Sequence, residues 1–218
     1  MTYEKKLIIR WFDHPRLYLT TWEAMQKFTA MRTEQTIDEI WLLEHEPVFT
    51  QGQNGKQEHV LDPKQIPIVK TDRGGQVTYH GPGQLMAYTL IDLKRKQFGI
   101  RQFVTLLEQS VVDLLSSLNI AAKTHCHAPG VYVNEQKICS IGLRIRKGCS
   151  YHGIALNVQM DLSPFLQIHP CGFKDLSMTQ ITAFNDDQST QTIGRNLITY
   201  LTKNLGYTTA QYLAESLT

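Results

Sequence analysis

Cys171 is a candidate nucleophile, because it stands in the segment Ile168-His169-Pro170-Cys171-Gly172-Phe173. A thiol reacts as the thiolate, and a free cysteine, with a pKa near about 8.5, is mostly protonated at neutral pH. The proline before it favours an extended or turn backbone, and the glycine after it admits close backbone approach, so the sulfur and nearby N–H groups could point at one carbonyl. The alternative is a buried structural cysteine, because free cysteines are often inert core residues.

Lys137 is a candidate for the group that activates such a thiol. From Ile141 onward the odd positions of its strand-like segment are apolar, whereas Arg144 and Arg146 fall on the opposite face. Lys137 has the parity of the apolar face, so a regular strand would bury its ammonium, lower its pKa and make a neutral, proton-accepting amine accessible. If the strand begins one residue later or contains a bulge, Lys137 is a solvated loop residue.

The stretch Arg73-Gly74-Gly75-Gln76-Val77-Thr78-Tyr79-His80-Gly81-Pro82-Gly83-Gln84 is a second candidate site. Its four glycines allow positive φ angles and close approach of backbone donors to a bound phosphate or acyl carbonyl. It matches neither the GxxxxGK[ST] of a P-loop nor the GxGxxG of a dinucleotide fold. Ordinary turns are the other interpretation of such a glycine-rich stretch.

Small residues alternate with branched ones in the segment Tyr151 to Val158. The branched residues at 154, 156 and 158 share one face, and Gly153 and Ala155 share the other. A strand face of small side chains leaves room for a ligand or for a neighbouring backbone. The pattern is compatible with both.

The bulk composition limits the possible functions without identifying one. With 218 residues, of which 42% are hydrophobic and 19% charged, the chain can build one substantial core, and we expect one domain over residues 1–218. A net charge of +2 is too weak to indicate a nucleic-acid partner. Because no apolar run resembles a signal peptide or a membrane span, we expect a cytoplasmic protein without membrane association.

The cysteines indicate neither disulfides nor a metal. Those at positions 126, 139, 149 and 171 show no CxxC spacing, and a reducing compartment favours free thiols. The triplet His125-Cys126-His127 could suggest a metal, but no second pair of ligands stands at a usual zinc spacing. We therefore expect no metal site.

The elements that must position these residues mix helices and strands. Helical spacing of apolar residues predicts helices around 17–31, over 103–118 with an end near Asn119, and over 193–205 with Gly206 as the stop. Consecutive strand-like runs favour a mixed, largely antiparallel sheet packed by helices, which is an α+β fold. After a short run at Leu7 to Ile9, these runs are Glu39 to Leu43, Ile66 to Val69, Gln76 to His80, Leu85 to Leu90, Val131 to Val133, Ile138 to Ile145 and Tyr151 to Val158.

The stretch from Arg73 to Gln84 resembles the RGGxxTYHGPGQ signature of the lipoyl(octanoyl) transferases, the LipB family. Further segments resemble that family in the same order along the chain, over about residues 41 to 173. These segments are Leu43 to Thr50, Pro129 to Val133, Lys137 to Gly142, Gly153 to Asn157, and Pro170 to Gly172.

The resemblance implies the single catalytic domain of an octanoyltransferase with the fold of the biotin and lipoate protein ligases. Such an acyltransferase moves an octanoyl (or lipoyl) group from acyl carrier protein to a specific lysine of a lipoyl domain, in protein lipoylation. The implied acceptors are 2-oxoacid dehydrogenase E2 subunits and the glycine cleavage H protein. Neither ATP nor a cofactor is implied.

The resemblance also implies roles for individual residues. Cys171 would be the acyl-thioester nucleophile and Lys137 the base that activates it. The small faces of Gly75, Gly142, Gly153 and Ala155 could line a slot for the acyl chain. The implied substrate-binding residues are Arg73, Gly74, Gly75, Gln76, Val77, Thr78, Tyr79, His80, Ser140, Ile141, Gly142, Gly153, Ile154 and Ala155.

Basic clusters could dock the donor, because acyl carrier proteins are generally acidic. The candidates are Lys94-Arg95-Lys96, Arg101 and Arg144-Ile145-Arg146-Lys147, although such clusters can also be solvated faces.

Three other functions remain open from the sequence. An ATP-dependent lipoate or biotin protein ligase would share the fold but would activate the acid as an adenylate and need no cysteine nucleophile. A thiol hydrolase would pair Cys171 with a histidine, but the local protease signatures are absent. A non-catalytic acyl-protein binder would never become acylated.

Overall fold

The computed structural model describes residues 5–125 and 128–213. Within those ranges the chain forms eleven strands and three α-helices. The strands are β1 (Lys6–Trp11), β2 (Asp38–Leu43), β3 (Val48–Gln51), β4 (Ile68–Lys70), β5 (Val77–His80), β6 (Gln84–Leu90), β7 (Lys123–Thr124), β8 (Gly130–Val133), β9 (Gln136–Arg146), β10 (Cys149–Asn157) and β11 (Thr209–Leu213). The helices are α1 (Tyr18–Met31), α2 (Ile100–Ser117) and α3 (Thr190–Asn204).

The strands form one large sheet and one small sheet. The large sheet has the order β11-β1-β2-β6-β10-β9-β8-β7, and the small sheet has the order β4-β3-β5. In the large sheet β1 pairs with both β11 and β2 in parallel, whereas every pair from β2 to β7 is antiparallel. The predicted α+β fold with a mixed, largely antiparallel sheet is confirmed.

The two faces of the large sheet carry separate cores. Ile154 and Leu156 of β10 pack into the larger core, to which α2 contributes Phe103 and α3 contributes Leu197. Ala155 packs into a second core together with Met25 of α1. The predicted alternation along β10 is therefore confirmed, and it separates the small residues from the larger core.

The helices end where the sequence places their stops. Asn119 follows α2 with a φ of 59°, and Gly206 follows α3 with a φ of 70°. Both are left-handed backbone conformations, which asparagine and glycine adopt at low cost. At the start of α3, the hydroxyl of Ser189 accepts a hydrogen bond of 3.1 Å from the Thr192 amide, which caps the first turn.

One predicted strand is displaced. The run from Ile66 to Val69 was expected to be extended throughout, but β4 begins only at Ile68. Pro67 has no N–H to give to a sheet and instead offers its carbonyl to the Phe49 amide at 2.9 Å. The strand thus starts after the proline.

Cys139, Cys149 and Cys171 carry free thiols. Cys126 and His127 of the triplet at 125–127 lie outside the described residues, as do residues 1–4 at the start of the chain. In the described ranges, no helix combines the length and the apolar character that crossing a membrane requires.

Candidate functional site

Cys171 sits at the apex of a single tight turn. Residues Pro170–Gly172 form one turn of 3-10 helix in which Cys171 has φ 56° and ψ 14°. A non-glycine residue rarely occupies this left-handed region, and such residues cluster at functional sites. Gly172 follows with a φ of 80°, and a Cβ there would lie 2.3 Å from the side-chain amide of Gln76. The φ of 80° strains any residue other than glycine, so Gly172 sets the turn that holds the half-buried sulfur against the glycine-rich stretch.

Lys137 meets Cys171 across the site. Its Nζ donates to the Cys171 Sγ at 3.3 Å, and the side chain is only 2% exposed. Burial alone would lower the pKa of Lys137, but the negative charge of a Cys171 thiolate and the contact with Tyr132 outweigh it, so the pKa is raised. The expectation of a lowered lysine pKa was therefore wrong for the free site. In the free site Lys137 is therefore an ammonium that donates a hydrogen bond to the Cys171 sulfur.

Lys137 is buried, as a regular strand would have made it, but a bulge, which was expected to leave it solvated, is what places it there. Val131 lies opposite Cys139, whereas the next residue, Tyr132, lies opposite Lys137, so Ile138 is an extra residue in β9. A bulge reverses the alternation of a strand. Ile138 therefore packs into the larger core, and Lys137 joins the residues that line the cavity on the other side.

The strand end beside Lys137 is tightly closed. A Cβ on Gly130 would lie 2.5 Å from the Lys137 Cε, and the Tyr132 ring centroid is 5.3 Å from the ammonium. The Gly130 amide donates to the carboxylate of Glu108 at 2.8 Å. Burial raises the pKa of Glu108, although the Gly130 amide and Lys137 counteract it. Gly130 thus gives the lysine the room that it needs.

Arg73 is buried and shapes the glycine-rich stretch. Its guanidinium donates to the hydroxyl and carbonyl of Thr50 and to the carbonyls of Gly74 and Gln76 at 2.6–3.1 Å. Burial lowers its pKa. The Gly74 amide in turn donates to the Leu143 carbonyl at 2.9 Å, which fixes the stretch to β9. Within the described residues the guanidinium donates to Thr50 and to backbone carbonyls, which indicates that Arg73 holds the glycine-rich stretch in its conformation.

Three buried histidines are neutral. Burial is the main cause that lowers their pKa values, to about 4 for His45, well below the usual range for His80, and in the same direction for His152. His45 Nδ1 donates to the Arg16 carbonyl at 2.8 Å, so its Nε2 accepts from the Tyr88 hydroxyl at 2.6 Å. These rings shape the site as hydrogen-bonding groups rather than as cations.

The Asp72 carboxylate accepts hydrogen bonds from two elements, α1 and β10. Its carboxylate accepts from Trp22 at 2.8 Å and Gln26 at 3.2 Å on α1, and from His152 at 2.9 Å and the Tyr151 hydroxyl on β10. Burial alone would raise its pKa, but the donors on His152, Tyr151 and Trp22 hold it well below the usual range. Asp72 therefore ties α1 to the strand that carries Ala155.

Cys171, Lys137 and the glycine-rich stretch line a cavity of about 470 Å³, a size typical of small-molecule sites. Twelve of the fourteen predicted substrate-binding residues line it together with Cys171 and Lys137. The other two, Tyr79 and Ile154, pack into apolar cores beside Phe49 and Leu156, respectively. Their neighbours in sequence face the cavity, so alternation within the strands excludes these two.

The cavity wall also contains residues that the sequence did not predict. Tyr18 and Tyr88 line it near the histidines, and Ile100 and Val104 bring the start of α2 to it. Their only signal in the sequence was apolar or aromatic character, which they share with ordinary core residues. Ile100 is 55% exposed, which marks one mouth of the cavity.

The glycines at positions 153 and 142 are required by different contacts. A Cβ there would lie 2.1 Å from the Ala87 carbonyl of β6, so close strand packing requires the glycine. By contrast, a Cβ on Gly142 would lie 3.3 Å from the Arg73 side chain and 3.4 Å from the Gly74 carbonyl, a tight contact rather than a clash with a neighbouring strand. Gly142 pairs with Gly153, and Ser140 pairs with Ala155. The small residues of β9 and β10 thus form one floor, and Ala155 is the member that carries a side chain on β10.

Two of the backbone donors expected beside Cys171 are already used. The Gly172 amide donates to the His169 carbonyl at 2.9 Å, and the Phe173 amide donates to the Pro170 carbonyl at 3.1 Å. The side chain of Gln76 lies against the same turn, and its Oε1 is buried without a hydrogen-bond partner in the described part of the chain. Gln76 therefore has an unused acceptor beside the turn, which cannot replace the donors of Gly172 and Phe173.

The sequence matches a known family model and many curated relatives. Residues 17–202 match the lipoyl protein ligase A/B catalytic domain. A protein of Shewanella denitrificans named octanoyltransferase is 58% identical over 87% of this chain and 84% of its own length. A protein of Aliivibrio fischeri with the same name is 55% identical over 91% of this chain and 92% of its own length.

A solved structure agrees on the fold. A bipartite lipoate protein ligase from Thermoplasma acidophilum superposes with a TM-score of 0.78 over 97% of this chain and 87% of that chain. The sequence identity is only 17%, so this similarity concerns the fold alone. It confirms the predicted ligase-like catalytic fold.

Proposed function

This chain belongs to the lipoyl protein ligase A/B catalytic-domain family, and we propose that it transfers an octanoyl group to a lipoyl-domain lysine through a thioester on Cys171. The acyltransferase activity is that of the relatives named octanoyltransferase. The observation that carries the mechanism is the 3.3 Å contact between the Lys137 ammonium and the Cys171 sulfur at the wall of an apolar cavity. Residues 1–218 act as one catalytic domain, and the free thiols suit the reducing cytoplasm.

The first half of the cycle forms the acyl-enzyme. The Cys171 thiolate attacks the thioester carbonyl of octanoyl-acyl carrier protein, a new carbon–sulfur bond forms, and the bond to the carrier sulfur breaks. The ammonium of Lys137 gives its proton to the departing carrier thiolate, which leaves as a thiol. Since one thioester replaces another, this step is nearly balanced in free energy.

In the second half of the cycle Lys137 acts as a base, because it has lost its proton. Acylation removes the thiolate charge that raises the Lys137 pKa, whereas burial, which lowers that pKa, remains. The lysine is then a neutral base that accepts a proton from the acceptor amine as the amine attacks the thioester. Cys171 departs as a thiolate, which restores the ion pair. An amide replaces a thioester, and this drives the cycle forward without ATP.

The cavity suits the acyl chain. Its wall combines the floor of Gly142, Gly153 and Ala155 with apolar side chains such as Met86 and Val104. An eight-carbon chain needs such an apolar slot, because each buried methylene contributes about 0.8 kcal/mol. We place the thioester at Cys171 and the methyl end toward Ala155.

The donor would dock at the exposed mouth near Ile100. Arg101 is exposed directly beside it, and Arg146 and Lys147 are exposed at the turn between β9 and β10. Arg95 does not belong to this surface, because it donates to the Asp38 carboxylate at 2.7 Å. An acidic carrier protein would meet the remaining basic residues. The acceptors would be lipoyl domains of 2-oxoacid dehydrogenase E2 subunits and the glycine cleavage H protein.

Intact-protein mass spectrometry tests the proposal. After the protein is mixed with octanoyl-acyl carrier protein, we expect a mass increase of one octanoyl group, and peptide mapping should locate it on Cys171. Adding a lipoyl domain should remove the adduct and transfer it to one lysine. Octanoyl transfer that appears only with ATP and octanoic acid, with pyrophosphate release and no adduct, would instead identify a ligase.

A further inference from the structure

A row of buried hydrogen bonds runs from the guanidinium of Arg73 to the backbone of Lys137. Every side chain between the two ends is at most 4% exposed. The members are, in order, Arg73, Thr50, His80, Gln84, Asn157, Thr179 and Lys137, and the contacts measure 3.1, 3.0, 2.7, 2.9, 2.9 and 2.9 Å.

The direction of each hydrogen bond follows from its two ends. Arg73 can only donate, so the Thr50 hydroxyl accepts from it and gives its own proton to His80 Nε2. His80 Nδ1 then carries a proton and donates to the Gln84 Oε1. The Gln84 Nε2 donates to the Asn157 Oδ1, and the Asn157 Nδ2 donates to the Thr179 carbonyl. All donors thus point from Arg73 toward Lys137, and aligned bonds of this kind polarise one another.

The far end of the row holds the strand that carries the lysine. The Thr179 amide donates to the Lys137 carbonyl, and the Lys137 amide donates to the Ser177 carbonyl, both at 2.9 Å. Residues 177–179 also form the end of the loop that begins with Cys171. The same hydrogen bonds therefore fix the position of Lys137 and the exit of the nucleophile loop, immediately beside the bulge at Ile138.

We propose that Gln84 and Asn157 are positioning residues for the Cys171–Lys137 pair. They touch neither sulfur nor ammonium, and they act by holding the Lys137 backbone relative to the nucleophile turn. The row does not carry protons, because its amide groups donate and accept without exchanging a proton. This inference rests on the proposed function only in assigning the pair to acyl transfer; the geometry of the pair itself is independent of the substrate.

The test replaces Asn157 by Leu, which has a similar size but no polar group. A displacement of about 1 Å in a catalytic group can cost about 10²-fold in rate, so we expect Asn157→Leu to lower kcat by about 10- to 100-fold with little change in KM. Alkylation of Cys171 by iodoacetamide should become slower at neutral pH, and its midpoint should move to higher pH. The matched control is Ser150→Ala, which removes a buried hydroxyl from the same strand, where it donates to the Thr89 carbonyl at 2.7 Å.

A second pair of variants works at the other end of the row. Thr50→Val should slow the alkylation of Cys171 as Asn157→Leu does, whereas Thr50→Ser keeps the hydroxyl and should be alkylated at the wild-type rate. This pair decides the question if Asn157→Leu does not fold. Alkylation profiles of Asn157→Leu and Thr50→Val that match Ser150→Ala at equal thermal stability would overturn the inference. If the wild-type protein transfers no octanoyl group but its Cys171 alkylation still depends on Asn157, the proposed function fails and the positioning role stands.

Discussion

The ammonium of Lys137 lies 3.3 Å from the sulfur of Cys171, although 34 positions separate the two residues in the chain. The lysine reaches the cysteine from a bulged sheet strand, and the cysteine projects from a left-handed turn followed by a glycine with a φ of 80°. Neither residue is held by its own sequence neighbours alone. The reactive pair is therefore a product of the tertiary fold, and mutations can separate its parts.

Replacing Cys171 by serine should abolish transfer. A hydroxyl is far harder to ionise than a thiol, and the Lys137 ammonium that stabilises a thiolate cannot compensate. We expect octanoyl transfer to fall by about 10⁴-fold or more, with the melting temperature close to that of the wild type. Cys149→Ser is the control, because Cys149 is buried and away from the cavity lining. Retained turnover in Cys171→Ser would refute the nucleophile assignment.

Lys137→Ala should slow acyl-enzyme formation by about 10²–10⁴-fold, the usual scale for a positioned acid or base. A positive charge 3.3 Å from the sulfur favours the ionised form of a thiol, so the variant should also need a higher pH for alkylation. The measurement is single-turnover acylation together with a pH profile of iodoacetamide alkylation.

Lys137→Arg separates the two roles of the lysine. A guanidinium keeps the positive charge but stays protonated throughout the working range. Alkylation of Cys171 should therefore be less affected than in Lys137→Ala, whereas transfer to the acceptor amine should remain as slow. Alkylation profiles that are identical with and without Lys137 would show that the lysine is structural.

The sequence alone located most of this site. From the residues alone a structural cysteine, a solvated lysine and ordinary turns stayed open, and the resemblance to the LipB family selected Cys171, Lys137 and the stretch from Arg73 to Gln84. The alternation along β10 also predicted which face would hold Ala155. The fold class followed from runs of strand-like residues, each long enough to show its period.

The remainder depended on contacts that leave no local pattern. β3 is only four residues long and is buried throughout, so it shows no alternation, and β11 pairs with β1 from the far end of the chain. The bulge at Ile138 appears only in the pairing with β8. Parity alone therefore put Lys137 on the wrong face, although a regular strand would also have buried it. The lowered lysine pKa was likewise wrong, because that expectation counted burial and left out the opposing effect of Cys171 and Tyr132 on the ammonium.

Asp72→Asn should destabilise the protein by about 1–3 kcal/mol at neutral pH, because the donors on α1 and β10 then share one amide oxygen in place of two carboxylate oxygens. The pKa of Asp72 is lowered by folding, so its contribution is fully present above the unfolded value of about 3.9 and is lost as the pH falls. The free energy of unfolding should thus differ most between wild type and variant at neutral pH, and the difference should shrink below about pH 4.

The control for Asp72 is Asp161→Asn, at an exposed carboxylate whose hydrogen bonds within the described residues go to the neighbouring Ser163. It should shift the unfolding curve by less than about 0.5 kcal/mol. Urea unfolding from pH 3 to pH 7 gives both quantities. A difference between wild type and Asp72→Asn that stays constant over this range would mean that the carboxylate charge contributes nothing to stability.

Ala155→Leu should change the preferred chain length of the acyl donor. Ala155 lies on the cavity floor and packs with Met86 and Tyr88, so a leucine there fills volume that the far methylenes of an octanoyl chain would occupy. Each methylene that loses its place costs about 0.8 kcal/mol. The carbonyl end at Cys171 is untouched, so butanoyl and hexanoyl thioesters should acylate the variant at nearly the wild-type rate while octanoyl transfer falls. A competition among thioesters of different length, read by the mass of the acyl-enzyme, measures this preference. Equal losses for all lengths would mean that Ala155 packs the sheet or positions the nucleophile, and the slot would then lie nearer to Gly75 and His80.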